Sequence, residues 1–336
     1  MNDFWLGFES SCDETACAVL QTDLTVLANP LYSQIQEHQA FGGVVPEIAA
    51  RAHLSKIRPM LDAALEQSGV PLNQIGAIAF TRGPGLMGPL LVGAAFARGL
   101  AMDLGVPVYG VHHLEGHIAA AHLSNLDLEP PYVALTVSGG HTELTLIEPG
   151  FHFQNLGRTR DDAAGEAFDK CGKLLGLGYP AGPVVSRFAA TGDRKFVRFP
   201  QGLQGSDTCD FSFSGLKTAV LRYTQEKTPE FIQKNCNHIC ASLEYAIVEI
   251  LVRKASQALA STHAPALVLC GGVSANAYLR NRLQLLCERM GVRFAVPAFE
   301  FCTDNGAMIA AAAILRHRVG LLDPQWDVRP WLPLCP

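Results

Sequence analysis

The sequence predicts a duplicated α/β fold, on two observations. Glycine (31) and proline (20) punctuate short apolar runs along all 336 residues. The order of three strands, helix, strand, helix, strand then occurs twice. In the first copy, Phe4–Phe8 and Ala16–Leu20 read as strands around a polar turn, with Leu24–Ala28 a third candidate. Pro46–Gln67 has helical spacing, with a kink or restart predicted at Pro59. Ile75–Phe80 reads as a strand, Gly88–Leu104 as a helix and Val106–Val111 as a strand.

In the second copy, Tyr132–Val137, Thr142–Ile147 and Phe151–Leu156 read as strands. Helical spacing follows over Ala163–Leu175, Pro183–Ala190, Leu216–Glu226 and Pro229–Thr262. Ala266–Cys270 then reads as a strand, Ala275–Met290 as a helix, Val292–Val296 as a strand and Asn305–Arg318 as a helix. The expected domains are 1–125 and 126–336, with an insertion over 157–223. A ligand cleft is expected between the copies, and helix 305–318 is free to pack on the first.

Composition excludes several classes. With 49% hydrophobic and 17% charged residues, the chain is not disordered. The longest uncharged apolar run, Leu86–Phe96, is too short for a membrane span. Met1-Asn-Asp-Phe-Trp has no basic segment of a secretory signal. The ten cysteines form no C-x-x-C pair and read as reduced thiols, so a cytoplasmic protein is expected. Cys236 and Cys240 read as helix packing. A net charge of −5 announces no nucleic-acid binder, so any RNA contact needs a local basic patch or a partner.

Six segments are candidates for chemistry, and each also has an ordinary structural explanation. In His113-Leu-Glu-Gly-His117, two histidines at i, i+4 share one helix face and can reach one cation. They also read as solvated or capping histidines. Glu115 is on the wrong face for the base of an H-E-x-x-H protease. Asp304, in Cys302-Thr-Asp-Asn-Gly306, is either a helix cap or a third ligand; His2Asp leaves coordination open for substrate or water. Val137-Ser-Gly-Gly-His-Thr142 is a hairpin turn or a phosphate cradle, with His141 beside it.

Leu269-Cys-Gly-Gly-Val-Ser-Ala-Asn276 is a glycine turn into a helix, where an anion is favoured. Glu9-Ser-Ser-Cys-Asp-Glu-Thr15 offers Asp13 and Glu14 as acid–base candidates, or is a polar hairpin tip. Asp161-Asp-Ala-Ala-Gly-Glu-Ala-Phe-Asp-Lys170 is an acidic helix start in which Asp169 is the less trivial residue. Basic residues cluster at Arg187, Arg194, Lys195 and Arg198 and at Arg280 and Arg282, either as solvated faces or as phosphate contacts.

Together, in this order and with Gly42-Gly-Val-Val-Pro-Glu, Gly83-Pro-Gly-Leu and Phe211-Ser-Phe-Ser-Gly-Leu-Lys, these motifs resemble the bacterial tRNA N6-adenosine threonylcarbamoyltransferase family, formerly called glycoproteases. The resemblance runs from about Leu6 to Pro330. It implies a two-lobed actin/hexokinase/Hsp70-like fold with a helical insertion in the second lobe. It implies transfer of threonylcarbamoyl from threonylcarbamoyl-AMP to N6 of the adenosine 3′ of the anticodon in tRNAs reading ANN codons, with AMP released. His113, His117 and Asp304 are the implied ligands of one divalent metal, iron first and zinc second. Thr136, Val137, Ser138, Gly139, Gly140, Asp169, Gly182 and Asn276 match substrate contacts, with Asp13, Glu14 and His141 left as candidates for proton transfer. Implied partners are tRNA, a smaller paralogous subunit and a small ATPase, and no membrane is involved.

Three departures stand out: Ser10 where threonine is common, Ala181 in place of a glycine, and Pro89 near a helix start. An actin-like ATPase or kinase competes on fold, but imidazoles suit zinc or iron better than Mg²⁺. A protease lacks its glutamate. A decayed scaffold is disfavoured because all three ligand positions and both glycine turns are filled.

Overall fold

The computed structural model describes residues 3–321 and 327–335; residues 322–326, in the expected second domain, lie outside them. In chain order, the first unit holds β1 (Phe4–Glu9), β2 (Glu14–Gln21), β3 (Val26–Ala28), β4 (Leu31–Ser33), α1 (Ile35–Gln39) and α2 (Pro46–Ser68). It continues with β5 (Ile75–Gly83), α3 (Met87–Leu104), β6 (Val108–His112) and α4 (His113–Ala120). The second unit holds β7 (Tyr132–Val137), β8 (Thr142–Glu148), β9 (His152–Arg158), α5 (Ala164–Leu174), α6 (Gly182–Ala189) and α7 (Ser214–Gln225). It ends with α8 (Pro229–Lys234), α9 (Cys236–Thr262), β10 (Ala266–Cys270), α10 (Ala277–Met290) and β11 (Arg293–Ala295). Then comes α11 (Gly306–Arg318), which belongs to the first unit: its residues are Met1–Glu129 with Val296–Pro336, against Pro130–Ala295 for the second.

The duplication is visible in the sheets. The first runs β3-β2-β1-β5-β6 and the second β9-β8-β7-β10-β11. In each, the first three strands are an antiparallel meander, and two parallel strands extend it from the first strand. Both inner parallel strands, β5 and β10, are buried along their whole length, as helix-covered parallel strands require.

Four elements differ from the sequence expectation. Helix α2 runs through Pro59 without a restart, because Pro59 lies on its exposed side. The helix expected over 229–262 breaks at Asn235, which leaves the helical region (φ −108°, ψ 16°). The short elements β4 and α1 were not predicted. Helix α3 is the one described helix long and apolar enough to cross a membrane, longer than the apolar run suggested. Its Ala94, Ala97 and Ala101 are buried in the core of the first unit, with Phe8, Ile78 and Phe80. Pro89 sits in its first turn, where a missing N–H costs little. Among the described residues no cysteine is disulfide-bonded; Cys236 and Cys240 lie one helical turn apart with sulfurs 3.9 Å from each other.

Candidate active site

Strand β6 passes directly into α4. His112 makes the turn by capping, its Nδ1 accepting the Leu114 N–H at 3.1 Å. One turn of helix then separates His113 from His117, whose ring centroids are 4.8 Å apart. The carboxylate comes from the loop before α11, where Asn305 caps the helix by accepting the Met308 N–H at 2.9 Å. Small residues let the elements close up. A Cβ on Gly306 would lie 2.7 Å from the Gly7 oxygen of β1, and one on Gly7 would meet the Gly306 oxygen. A Cβ on Gly116 of α4 would lie 2.9 Å from Ile309 of α11. On the other face of α4, buried Glu115 pairs with Arg316 of α11, so it braces the helices instead of facing the histidines.

The ligand atoms of His113, His117 and Asp304 lie within 4.8 Å of one another. Asp304 Oδ1 is 3.1 Å from His117 Nε2 and 3.5 Å from His113 Nε2. At the other edge of its ring, His113 Nδ1 is 3.1 Å from Glu9 Oε2 and 3.2 Å from Ser11 Oγ. A proton held at Nδ1 leaves the Nε2 lone pair facing Asp304. Neither ring nitrogen of His117, a fully buried residue, makes a hydrogen bond, and Nε2 has only its ion-pair contact with Asp304 at 3.1 Å. An unsatisfied buried imidazole costs free energy, and a cation at this point removes that cost. The donor set therefore fits a metal that accepts imidazole and carboxylate.

Charge at the site is strongly perturbed. With no cation at the site, burial disfavours protonated His113, but Asp304 and Glu9 outweigh it and push its pKa up to about 9, so an ion bound at Nε2 takes the place of a proton there. Burial also opposes the Glu9 charge, yet His113 beside it holds the carboxyl below its usual value. Burial, then Asp304 and Asp13, push Glu14 well above the usual carboxylate range. Glu14 Oε1 accepts from Ser33 Oγ at 3.3 Å, and the Asp13 carbonyl accepts the Gln34 N–H at 3.0 Å.

The remaining candidates lie in the second unit. Ser138 and His141 close the β7–β8 hairpin: the Ser138 N–H donates to the His141 carbonyl at 2.8 Å and the His141 N–H to Ser138 Oγ at 3.1 Å. Gly139 and Gly140 between them are exposed, take no left-handed backbone, and have nothing within 4 Å of an added Cβ. Neither the turn nor packing requires glycine there. Thr136 and Val137 are fully buried in β7, with Thr136 Oγ1 3.3 Å from Cys270 Sγ. Asp169 Oδ1 accepts the N–H groups of Ala181 (2.8 Å) and Gly182 (3.0 Å), capping α6; burial raises its pKa and these bonds oppose the rise. Asn276 caps α10, accepting the Leu279 N–H at 2.7 Å, and donates to Ser186 Oγ (2.7 Å) and Glu244 Oε1 (2.8 Å).

A family profile described as tRNA N6-adenosine threonylcarbamoyltransferase matches residues 25–311. The chain belongs to this family. Curated members with that name from Thermosipho africanus and Acidovorax sp. are 46% and 47% identical to it. The alignments cover 94% of this chain and 95% of the first relative, and 99% and 98% for the second. Among solved structures, HypF from T. kodakarensis is similar with a TM-score of 0.64 at 14% identity, over 97% of this chain and 49% of that one. At that identity the likeness concerns the fold, which is of the actin/hexokinase/Hsp70-like class.

Two departures from the threonylcarbamoyltransferase pattern are absorbed locally. Ala181 has an ordinary right-handed backbone (φ −89°), and its methyl faces Gly172, where a second Cβ would clash at 2.4 Å. Ser10 donates to the Pro89 carbonyl at 3.1 Å. Sequence reasoning gave Glu9 no separate role. The available signal was a carboxylate ending an otherwise apolar strand, which must find partners when buried. Those partners are His113, Ser11 N–H (2.5 Å) and Thr81 Oγ1 (2.6 Å).

Proposed function

We propose that this chain transfers the threonylcarbamoyl group from threonylcarbamoyl-AMP to N6 of the adenosine 3′ of the anticodon in tRNAs reading ANN codons. The observation that carries the reading is the His113, His117 and Asp304 cluster, with its unsatisfied buried imidazole, in a chain of this family. A divalent ion held by these three residues supplies Lewis-acid polarisation of the acyl carbonyl; iron is the first choice and zinc the second. The chain's own residues do the rest. Glu9 and Ser11 hold the His113 proton at Nδ1. Gly139 and Gly140 leave room for a ligand against the hairpin backbone, with Ser138 and His141 at its ends. Asp169 orients the N–H groups of Ala181 and Gly182, and Asn276 opens α10.

In the reaction a bond forms from N6 to the carbonyl carbon. The bond from that carbon to the phosphate oxygen breaks, and AMP leaves with the electron pair. The amine proton passes to a base, for which Asp13, Glu14 and His141 are the candidates. The work belongs in the cytoplasm beside a smaller paralogous subunit and a small ATPase, and the isolated chain is slow. The test follows labelled threonylcarbamoyl into tRNA, with partners present, for wild type, His113→Ala and Asp304→Ala. Both variants should lose at least about 100-fold, or roughly 2.7 kcal/mol of barrier. Undiminished transfer in both would end the metal part of the reading, and no transfer by the wild type with its partners present would end the reading itself.

A further inference from the structure

The second unit carries a basic cavity that the chemistry above does not use. It has a volume of about 860 Å³ and lies between the segment after α6, helix α9 and helix α10. Six cations line it, Arg194, Lys195, Arg198, Arg253, Arg282 and Arg289, against one carboxylate, Glu249. That carboxylate is consumed: both its oxygens take Arg282, at 2.7 and 2.8 Å. Arg194 is likewise paired, with the buried Glu244 at 3.3 Å, which leaves Lys195, Arg198, Arg253 and Arg289 as a local positive excess in a chain with a net charge of −5.

The fold builds the site from three segments far apart in sequence. Tyr245, Glu249, Val252 and Ser256 recur at helical spacing on α9, and Arg282, Leu286 and Arg289 on α10, so each helix gives one stripe to a wall. Fixed and mobile cations are mixed. Arg253 is clamped by the Gln201 side chain (2.8 Å) and the Gly202 carbonyl (3.0 Å), and Arg194 stacks 4.0 Å over Tyr278. Lys195 and Arg198 are exposed, and their side chains have no partner among the described residues. A smaller cavity of about 380 Å³ shares residues 197–200, Arg198 among them, and adds one charge of each sign, Arg222 and Glu226. The half-exposed Tyr245 offers a flat face beside these charges.

We propose that this cavity grips the phosphate backbone of the tRNA. The proposal rests on the function proposed above. Cations spread along a strip, with unpaired members at its lip, match a polymer of spaced charges better than one small anion, which needs donors converging on a point. Contacts to phosphate set position and affinity, not sequence.

The test measures tRNA affinity and transfer kinetics of the partner-complete enzyme from 50 to 200 mM salt. It compares wild type, Lys195→Gln/Arg198→Gln and Arg289→Gln. The double variant should bind about tenfold more weakly at low salt. Its slope of log affinity against log salt should fall by about 2, with a raised KM for tRNA and an unchanged kcat. The loss should be equal for tRNAs that read other codons. Arg289→Gln should lower the slope by about 1, and unfolding midpoints should match wild type because both altered segments are at the surface. Unchanged affinity and slope in both variants, while wild type transfers normally, overturns this proposal and leaves the function standing. So does a lost protein contact with RNA affinity intact. Wild type that neither binds nor modifies tRNA overturns the function itself.

Discussion

Glu9 and Asp304 hold opposite edges of the same imidazole: Glu9 Oε2 is 3.1 Å from His113 Nδ1, and Asp304 Oδ1 is 3.5 Å from Nε2. One carboxylate fixes the proton and the other shares the ligand face. Removing a carboxylate behind a metal-binding histidine typically costs 10- to 100-fold in affinity. Glu9→Ala should therefore weaken metal binding by about that much, read by chelator competition, while Glu9→Gln, which keeps an acceptor, should lose less. Equal affinity in wild type and Glu9→Ala would show that Ser11 alone suffices.

Metal removal should be reversible. Dialysis against a chelator should abolish transfer, and one equivalent of Fe²⁺ or Zn²⁺ per chain should restore it. Metal content of His117→Ala, measured by elemental analysis, should fall from about one to near zero. Full activity after verified removal would contradict the metal reading.

The position of Asp304 depends on the contact between β1 and α11. Gly306→Ala places a Cβ 2.6 Å from the Ala18 nitrogen and 2.7 Å from the Gly7 oxygen. Such overpacking should destabilise the chain by about 1–3 kcal/mol in urea unfolding and weaken metal binding in the same variant. A neutral substitution would mean that the contact does not set the site.

Glu143 gives a pH dependence away from the proposed metal ligands. Burial raises its pKa to about 7, with Arg158 and Thr145 opposing, and its Oε1 has no hydrogen-bond partner. Because the folded value exceeds the ordinary 4.5, the folded chain binds this proton more tightly. Its contribution is full below pH 4.5 and is lost as pH rises through 7. Glu143→Gln should thus be more stable than wild type at pH 8, by about 1–3 kcal/mol, with the gap closing toward pH 5. A pH-independent difference would be the contrary result.

Asp169 separates capping from ligand contact. Loss of its two bonds to the start of α6 in Asp169→Ala should cost about 1–2 kcal/mol. If it also touches substrate, KM for threonylcarbamoyl-AMP should rise in Asp169→Ala at a temperature where the fold is intact. A stability loss with unchanged KM would confine Asp169 to capping.

Much of the fold was legible because β-strand alternation and helical spacing are local. The repeat of meander, helix, strand, helix, strand could be read before the two sheets were seen, and both have the same strand order. What failed was also local in appearance. Pro59 was expected to kink or restart the helix, and there is no restart: on the exposed side of α2 it costs one hydrogen bond at a place where water can replace it. Asn235, which does break a helix, sits in a stretch with no glycine or proline to mark it.

The amino-acid order alone determined that His113 and His117 share a helix face, since four residues span about one turn and no distant contact is needed. It also determined that Gly139-Gly140 forms a turn between strands. The tertiary structure decided that Asp304 reaches those imidazoles, that Glu9 stands behind one of them, and that Thr136 points into the sheet toward Cys270. The physical reason is range. Backbone hydrogen bonding is settled within a few residues, whereas the meeting of β1, α4 and α11 depends on how closely their backbones pack, and Gly7, Gly116 and Gly306 are what allow it.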